Sequence, residues 1–403
     1  MEKNKRNMFV YRLVQFLSWI VSTFIFRRKI LRNEVKGQKG PFAIIANHQA
    51  SLDFVNLIGV TRRPITFVIS QSIYRSSPVK WFMTRLGIIP KQQFQTTLKD
   101  MRRMKQVIDA GEILAIYPAG LMCEDGRSTP IPAGTYQFLK WLRTDIYVAR
   151  TSGMYFSMPK WTRGMRAGRT QLDVYRLFSK EELESADLET IKRKTDEVLN
   201  FDAYREQETL LVKYKHTACI EGLQNVLYMC PHCKREFSMQ VKDKSILYCT
   251  ECGFAHKSDD YGFLHNVGGV GEEIRYVSDW SRMIHDELKQ RMIRGEEETL
   301  SASTAIHMVD PQKNKFVPVG QGNVTLSSQG FALDGGIKGE ENVHLEIPTV
   351  TFASLPFKPG KNFEIQNGND IYRCVLEDGR LAMKFIHMVK IYYELHDEAH
   401  TKS

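Results

Sequence analysis

The stretch Ile44–Asp53 reads I-I-A-N-H-Q-A-S-L-D, and its reading decides the fold of the first half of the chain. Phe42–Ala46 is an unbroken apolar run after Lys39-Gly40-Pro41. Five residues are too few for a helix and suit a buried strand. The run delivers Asn47-His48 to a strand end, where α/β folds gather ligands and reactive groups. Free imidazole has a pKa of ~6.5, so a histidine there can take a proton from an alcohol near neutral pH. Asp53 follows five residues later. On one continuous helix the two side chains would point about 140° apart. They pair only if His48 stays in the turn and the helix starts near Ser51, an acceptable N-cap. His48 and Asp53 are the candidate catalytic residues. Taken alone, the spacing fits a hydrogen-bonded structural histidine better than a catalytic one.

Outward from this stretch, four more short apolar runs read as strands: Ile65–Ile69, Ile113–Tyr117, Ile146–Arg150 and Leu172–Leu177. Helical patterns lie between them at Leu52–Val60, Pro78–Leu86, Thr97–Ala110 and Thr135–Leu142, and the acidic segment Lys180–Phe201 is helix-prone. Strands alternating with helices predict an α/β domain over 37–215, a mixed sheet flanked by helices.

Asn47-His48 with Asp53, after a hydrophobic strand, resembles the first motif of the glycerophospholipid acyltransferase family, typified by lysophosphatidic acid acyltransferases. Leu86-Gly87-Ile88-Ile89-Pro90-Lys91 resembles its second motif, Tyr117-Pro118-Ala119-Gly120 its third and Tyr147-Val148-Ala149 its fourth. The resemblance covers about residues 8–215. It implies transfer of a fatty acyl group from a thioester, acyl-CoA or an acyl carrier protein, to a lysophospholipid or related glycerolipid hydroxyl. By that resemblance His48 is the general base, Asp53 orients it, and Gly87, Lys91, Pro118 and Gly120 bind substrate. The segment Gly87–Lys91 and the backbone around Gly120 are candidate oxyanion donors. The motifs also depart from the family. Ala50 replaces the usual serine, Ala119 the glutamate of the third motif and Met122 its arginine. The base pair is intact while the residues that hold the acceptor's polar head are altered.

Charge is uneven along the chain. Residues 1–36 hold nine Lys/Arg and two Glu, so 9 − 2 = +7 of the formal +10 lies at this end. It flanks the apolar run of residues 8–26, which Arg12 and Gln15 interrupt. The combination predicts a helix lying in or dipping into an anionic membrane surface, on the cytoplasmic face. Cationic charge concentrated beside an apolar segment argues against nucleic acid as the partner.

Four of seven cysteines form Cys230-x-x-Cys233 and Cys249-x-x-Cys252, fifteen residues apart. Two such knuckles predict a four-thiolate structural zinc ribbon over 216–262, with His232 and His256 as spare ligands. A helical linker over 263–300 contains the pattern Tyr276–Arg294. From about 301 the chain changes to short strand patterns: Phe316–Val319, Asn323–Leu326, Phe331–Leu333, His344–Ile347, Val350–Ala353, Asn362–Gln366, Asp370–Leu376 and Arg380–Ala382. A closing helix is expected over Met383–Leu395. This β-rich domain, 301–403, is loosely similar in pattern to a pleckstrin-homology-like domain. The basic stretch around Trp161 is expected on headgroups, on an acyl carrier or in a solvated loop.

The sequence therefore predicts a membrane-associated O-acyltransferase fused to a zinc ribbon and a β domain. The alternatives are a catalytically inactive lipid-binding or scaffold protein of the same fold, and a nucleic-acid-binding ribbon protein that leaves the apolar N-terminus unexplained.

Overall fold

Phe42–Ala46 is fully buried because both of its faces are covered. Phe42, Ile44 and Ala46 enter one apolar cluster, with Tyr11, Ile113 and Ala115. Ala43 and Ile45 enter the opposite one, with Leu114, Leu139 and Ile191. An unbroken apolar run is what a strand buried on both faces requires. The computed structural model describes residues 6–76, 80–92, 97–348 and 354–401, the last without the side chains of 399–401. The chain divides into two compact units, 1–159 with 164–215, and 160–163 with 216–403.

The first unit is built on seven strands: β1 (Lys29–Asn33), β2 (Phe42–Ala46), β3 (Ile65–Ser70), β4 (Ile89–Lys91), β5 (Ile113–Ile116), β6 (Asp145–Ser152) and β7 (Gln171–Phe178), in the sheet order β1-β7-β6-β2-β5-β3-β4. Strands β6, β2, β5, β3 and β4 run parallel, and β7 is antiparallel to β6. The carboxyl ends of β2, β3, β4, β5 and β6 therefore share one edge. Helices start where capping residues stand. Thr97 accepts from the Asp100 amide at 3.1 Å to open Leu98–Asp109. Ser179 and Glu182 form a reciprocal capping box at Lys180–Ser185. The helix pattern expected over Pro78–Leu86 is present from Lys80, its first two residues lying outside those described. Strand β1 was not expected. It lies just beyond the apolar run of residues 8–26 and is exposed at the sheet edge, so it carries no apolar signature.

Met8–Ile20 is a helix, continued by a wider turn over Val21–Ile25. One side docks on the unit. The Tyr11 hydroxyl accepts from the Ile65 amide at 2.8 Å, and the Gln15 amide donates to the carbonyls of Ile58 (3.0 Å) and Thr61 (3.2 Å). The other side leaves Phe9, Leu13, Phe16, Leu17, Trp19 and Phe24 exposed. The stretch Met8–Ile25 is long and apolar enough to cross a membrane by length and composition.

In the second unit β8 (Met239–Lys242), β9 (Ile246–Cys249), β10 (Ala255–Ser258) and β11 (Leu264–Asn266) form an antiparallel sheet. The ribbon's fourth strand thus lies beyond the expected end at 262. The helix Val277–Ile293 follows, anchored by Trp280, whose indole donates to the Met229 carbonyl at 3.0 Å. A second sheet contains β12 (Leu300–Asp310), β13 (Lys315–Ser327), β14 (Gly330–Ile337), β15 (Glu340–Ile347), β16 (Phe357–Lys358), β17 (Asn362–Asn367) and β18 (Asp370–Leu376), in the order β15-β14-β13-β12-β18-β17-β16. Helix Leu381–Thr401 closes the chain.

Two expectations for this sheet need correction. Phe316–Val319 and Asn323–Leu326 are one strand, because Gly320 marks a bulge opposite Ile306/His307 rather than a turn. A Cβ at Gly320 would overlap the Gly336 carbonyl oxygen, so glycine there permits close strand approach. Arg380–Ala382 is not a strand. Asp378 accepts from the Arg380 amide at 3.1 Å, and the helix begins at Leu381. The expected strand Val350–Ala353 lies outside the described residues. Of the basic stretch around Trp161, the Trp161 and Arg166 side chains are buried while Arg163 and Arg169 are exposed.

Candidate active site

The end of β2 is held by a side chain that mimics backbone. The Asn47 amide donates to the Thr151 carbonyl and accepts from the Thr151 amide, both at 2.8 Å. The β2–β6 pairing ends at Ala46–Ala149, and Asn47 extends it with its side chain. Gln49 adds a second clamp, accepting from the Tyr155 amide at 3.1 Å. Between the clamps His48 stays in a turn. The next helix, Asp53–Leu57, starts at Asp53 itself, with Leu52 rather than Ser51 at its cap position. That cap position makes no side-chain hydrogen bond, and Asp53 instead ties back to the turn before it. Its Oδ2 accepts from the amides of Gln49 (2.7 Å) and Ala50 (3.0 Å).

The same Oδ2 lies 2.8 Å from His48 Nδ1. A carboxylate engaged by amide donors is an acceptor, so Nδ1 carries the hydrogen and Nε2 holds the lone pair. Asp53 is 2% exposed and His48 19%, so the pair is anchored at one end and open to solvent at the other. Among the described residues Nε2 has no partner. The Tyr117 ring lies against the imidazole, with centroids 4.6 Å apart and planes 31° apart. The Tyr117 hydroxyl and Asp53 Oδ1 are both buried without a hydrogen-bond partner. Burial, and secondarily the Asp53 charge, push the Tyr117 hydroxyl well above its ordinary pKa, so it stays protonated.

Other sequence-predicted residues divide between the two edges of the sheet. Lys91 ends β4, on the edge that carries His48. It is partly buried and has no ionic or hydrogen-bond partner among the described residues. Burial lowers its pKa, against the opposing pull of Asp100. Pro118 and Gly120 lie in the turn after β5 on the same edge, Gly120 at φ +69°. The Gly120 amide closes that turn on the Tyr117 carbonyl at 2.9 Å, and so is not a free donor. Gly87 lies elsewhere. It precedes β4, beside Arg6, and Arg6 pairs with Glu112 just before β5. That is the amino edge, opposite His48. The amides of Gly87 and Ile88 are spent closing the helix Lys80–Leu86 on Thr84 and Met83. Nothing local in the sequence marks an individual role for Asn47, Gln49 or Tyr117. Their partners Thr151, Tyr155 and His48 are remote in the chain, and only the adjacency of Asn47 to His48 signals the clamp.

In the second unit the Sγ atoms of Cys230, Cys233, Cys249 and Cys252 all lie within 4.8 Å of one another. The pairs Cys230–Cys252 and Cys233–Cys249 are each 3.7 Å apart. Metal–sulfur bonds of ~2.3 Å in a tetrahedron give sulfur–sulfur edges of about 3.8 Å. The cluster therefore fits a tetrahedral metal ion. His256 is excluded as a ligand: it is buried, and its Nε2 accepts from the Ile274 amide at 3.0 Å. His232 is exposed and outside the cluster.

Comparison with known proteins bears on the first unit. Residues 27–149 match the sequence profile of the family described as Acyltransferase. A chloroplastic 1-acyl-sn-glycerol-3-phosphate acyltransferase of Brassica napus is 22% identical over 98 residues, 24% of this chain and 28% of the relative. The chain thus spans little more than a quarter of that relative's length. The crystal structure of PlsC, the 1-acyl-sn-glycerophosphate acyltransferase of Thermotoga maritima, aligns with TM-score 0.42 and 16% identity, over 51% of this chain and 80% of that one. The profile match runs from just before the edge strand β1 to Ala149, and includes the His48 turn, Asp53 and the Tyr117 turn. The profile match thus places an acyltransferase-type domain within residues 27–149 of the first unit.

Proposed function

We propose that the protein transfers a fatty acyl group from a thioester donor, acyl-CoA or an acyl carrier protein, to the hydroxyl of a lysophospholipid or related glycerolipid. The observation that carries this reading is the His48 Nδ1–Asp53 Oδ2 bond, which leaves Nε2 with a free lone pair. In this reading Nε2 removes the acceptor's hydroxyl proton as the oxygen attacks the acyl carbonyl. The tetrahedral oxyanion collapses and expels the thiolate, which recovers the proton from the imidazolium. Asp53 holds the ring's tautomer and stabilises its charged form. Lys91, partly buried on the same sheet edge and without a partner among the described residues, supplies a positive charge for an anionic headgroup.

The exposed apolar side of Met8–Ile20 supports a position on the cytoplasmic face of a membrane, where the lipid acceptor would reside. In the second unit the four thiolates would hold zinc as a closed structural site, knitting the ribbon rather than supplying chemistry.

The test is a lysolipid panel assayed with both thioester donors, comparing wild type with His48→Ala. Activity in the wild type that falls by ~10²-fold or more in the variant is expected. Full transfer by His48→Ala would refute the base assignment. A wild type inactive throughout the panel favours a lipid-binding scaffold of the same fold.

A further inference from the structure

A cleft of about 280 Å³ opens between the N-terminal helix and the segment after Asp53, lined in part by Arg12, Gln15, Phe16, Trp19 and Arg28. No residue that lines it is acidic, and none belongs to the His48 site. Arg28 donates to the Asn56 carbonyl. Arg12 donates to Gln15 Oε1 at 2.8 Å, and Gln15 spends its own amide on the carbonyls of Ile58 and Thr61. Among the described residues no carboxylate lies within 4.0 Å of either guanidinium. Each guanidinium has five N–H donors, and most of them have no partner among the described residues. Two like charges sharing a partly dry cleft repel unless an anion stands between them. The rim is apolar: Phe16 is 56% exposed and Trp19 50%.

We propose that this cleft binds the phosphodiester of one anionic membrane phospholipid, held by Arg12 and Arg28, as a site separate from the candidate active site. The occupant is a lipid rather than a free anion because Phe16 and Trp19 leave the rim apolar. Aromatic side chains of this kind settle at the headgroup boundary, which puts the two guanidiniums at phosphate depth. The site rests on the reading above that this helix lies on a bilayer. Arginine suits it better than lysine, because the planar fork engages two phosphate oxygens at once.

The experiment titrates the full chain with vesicles of phosphatidylcholine alone and with vesicles containing phosphatidylglycerol. Wild type, Arg12→Lys and Arg12→Lys/Arg28→Lys are compared, with thermal melts to verify folding. Net charge is unchanged throughout, so diffuse attraction is held constant. Expected is a loss of about tenfold in affinity for phosphatidylglycerol vesicles in the double variant and about threefold in Arg12→Lys, with phosphatidylcholine binding unchanged. Should the double variant fold poorly, Arg12→Lys, which alters an exposed side chain, carries the test alone. Wild-type affinity for phosphatidylglycerol in the Lys variants overturns the cleft and leaves the membrane reading standing. A wild type that binds neither vesicle overturns both. Displacement from vesicles by millimolar inorganic phosphate overturns the lipid as occupant.

Discussion

His48 Nδ1 and Asp53 Oδ2 stand 2.8 Å apart, and that one oxygen also holds the amides of Gln49 and Ala50. One carboxylate thus shapes the turn and fixes the tautomer of the ring it carries. Asp53→Asn keeps the size but turns one acceptor into a donor. The expected result is a fall of ~10³–10⁴-fold in kcat, with KM little changed. Rates measured on a lysolipid substrate alongside circular dichroism check it. A drop explained wholly by unfolding would count against the orienting role.

Tyr117 separates packing from hydroxyl chemistry. Its ring supports His48, while its hydroxyl is buried without a partner. Tyr117→Phe is expected to be neutral or to stabilise by about 1 kcal/mol, since an unsatisfied polar group is removed. Tyr117→Ala removes the ring's support and is expected to lower kcat by about tenfold or more. A large activity loss in Tyr117→Phe would instead give the hydroxyl a direct part in the reaction.

Lys91 carries a cost that a ligand can offset. Burial lowers its pKa, so the folded state disfavours the charged form relative to the unfolded chain, and this charge opposes folding at neutral pH. Lys91→Met is expected to leave the melting temperature unchanged or higher. The same variant is expected to raise KM for an anionic acceptor by about tenfold with kcat less affected. Thermal melts and a KM-against-kcat comparison decide the matter.

The four-cysteine cluster predicts about one metal ion per chain, zinc by its donor set. Cys249→Ser is expected to lower that content sharply. Chelation is expected to unfold the ribbon, since binding energy at such a site is folding energy. Metal analysis and protease sensitivity of the region around residue 250 report the two effects. Full metal content in Cys249→Ser would remove this residue from the ligand set.

His256 makes the second unit acid-sensitive. Burial lowers its pKa from 6.5 to about 4. The unfolded chain takes up a proton below pH 6.5 while the folded one resists, so stability is lost as pH falls from about 6.5 to 4. The full loss is on the order of 3 kcal/mol at about 1.4 kcal/mol per pH unit. His256→Gln keeps an acceptor for the Ile274 amide without the titration. With zinc saturating, its denaturation midpoint is expected to vary less over this range than that of the wild type.

Strand β2 and the core of β3 were legible because burial on both faces leaves an unbroken apolar run. Strand β1 was not, because an exposed edge strand reading K-I-L-R-N needs no such run. Strand β12 lacks such a mark for another reason. Its inward positions include Ala302 and Thr304, too small and too polar to mark a period of two. Gly320 misled because glycine serves bulges and turns alike. At the site, the spacing of His48 and Asp53 announced the pair. The Asn47–Thr151 clamp spans 104 residues and had no local trace.

The N-terminal helix is fastened by Tyr11 and Gln15 to the same chain segment, residues 53–65, that carries Asp53 at its start. A bilayer gripping that helix grips the first unit as a single body. Such a body keeps two translations and one rotation out of six rigid motions. On the proposed function, its encounter with a lipid acceptor would become a search in a plane, at a fixed tilt, in place of one through a volume.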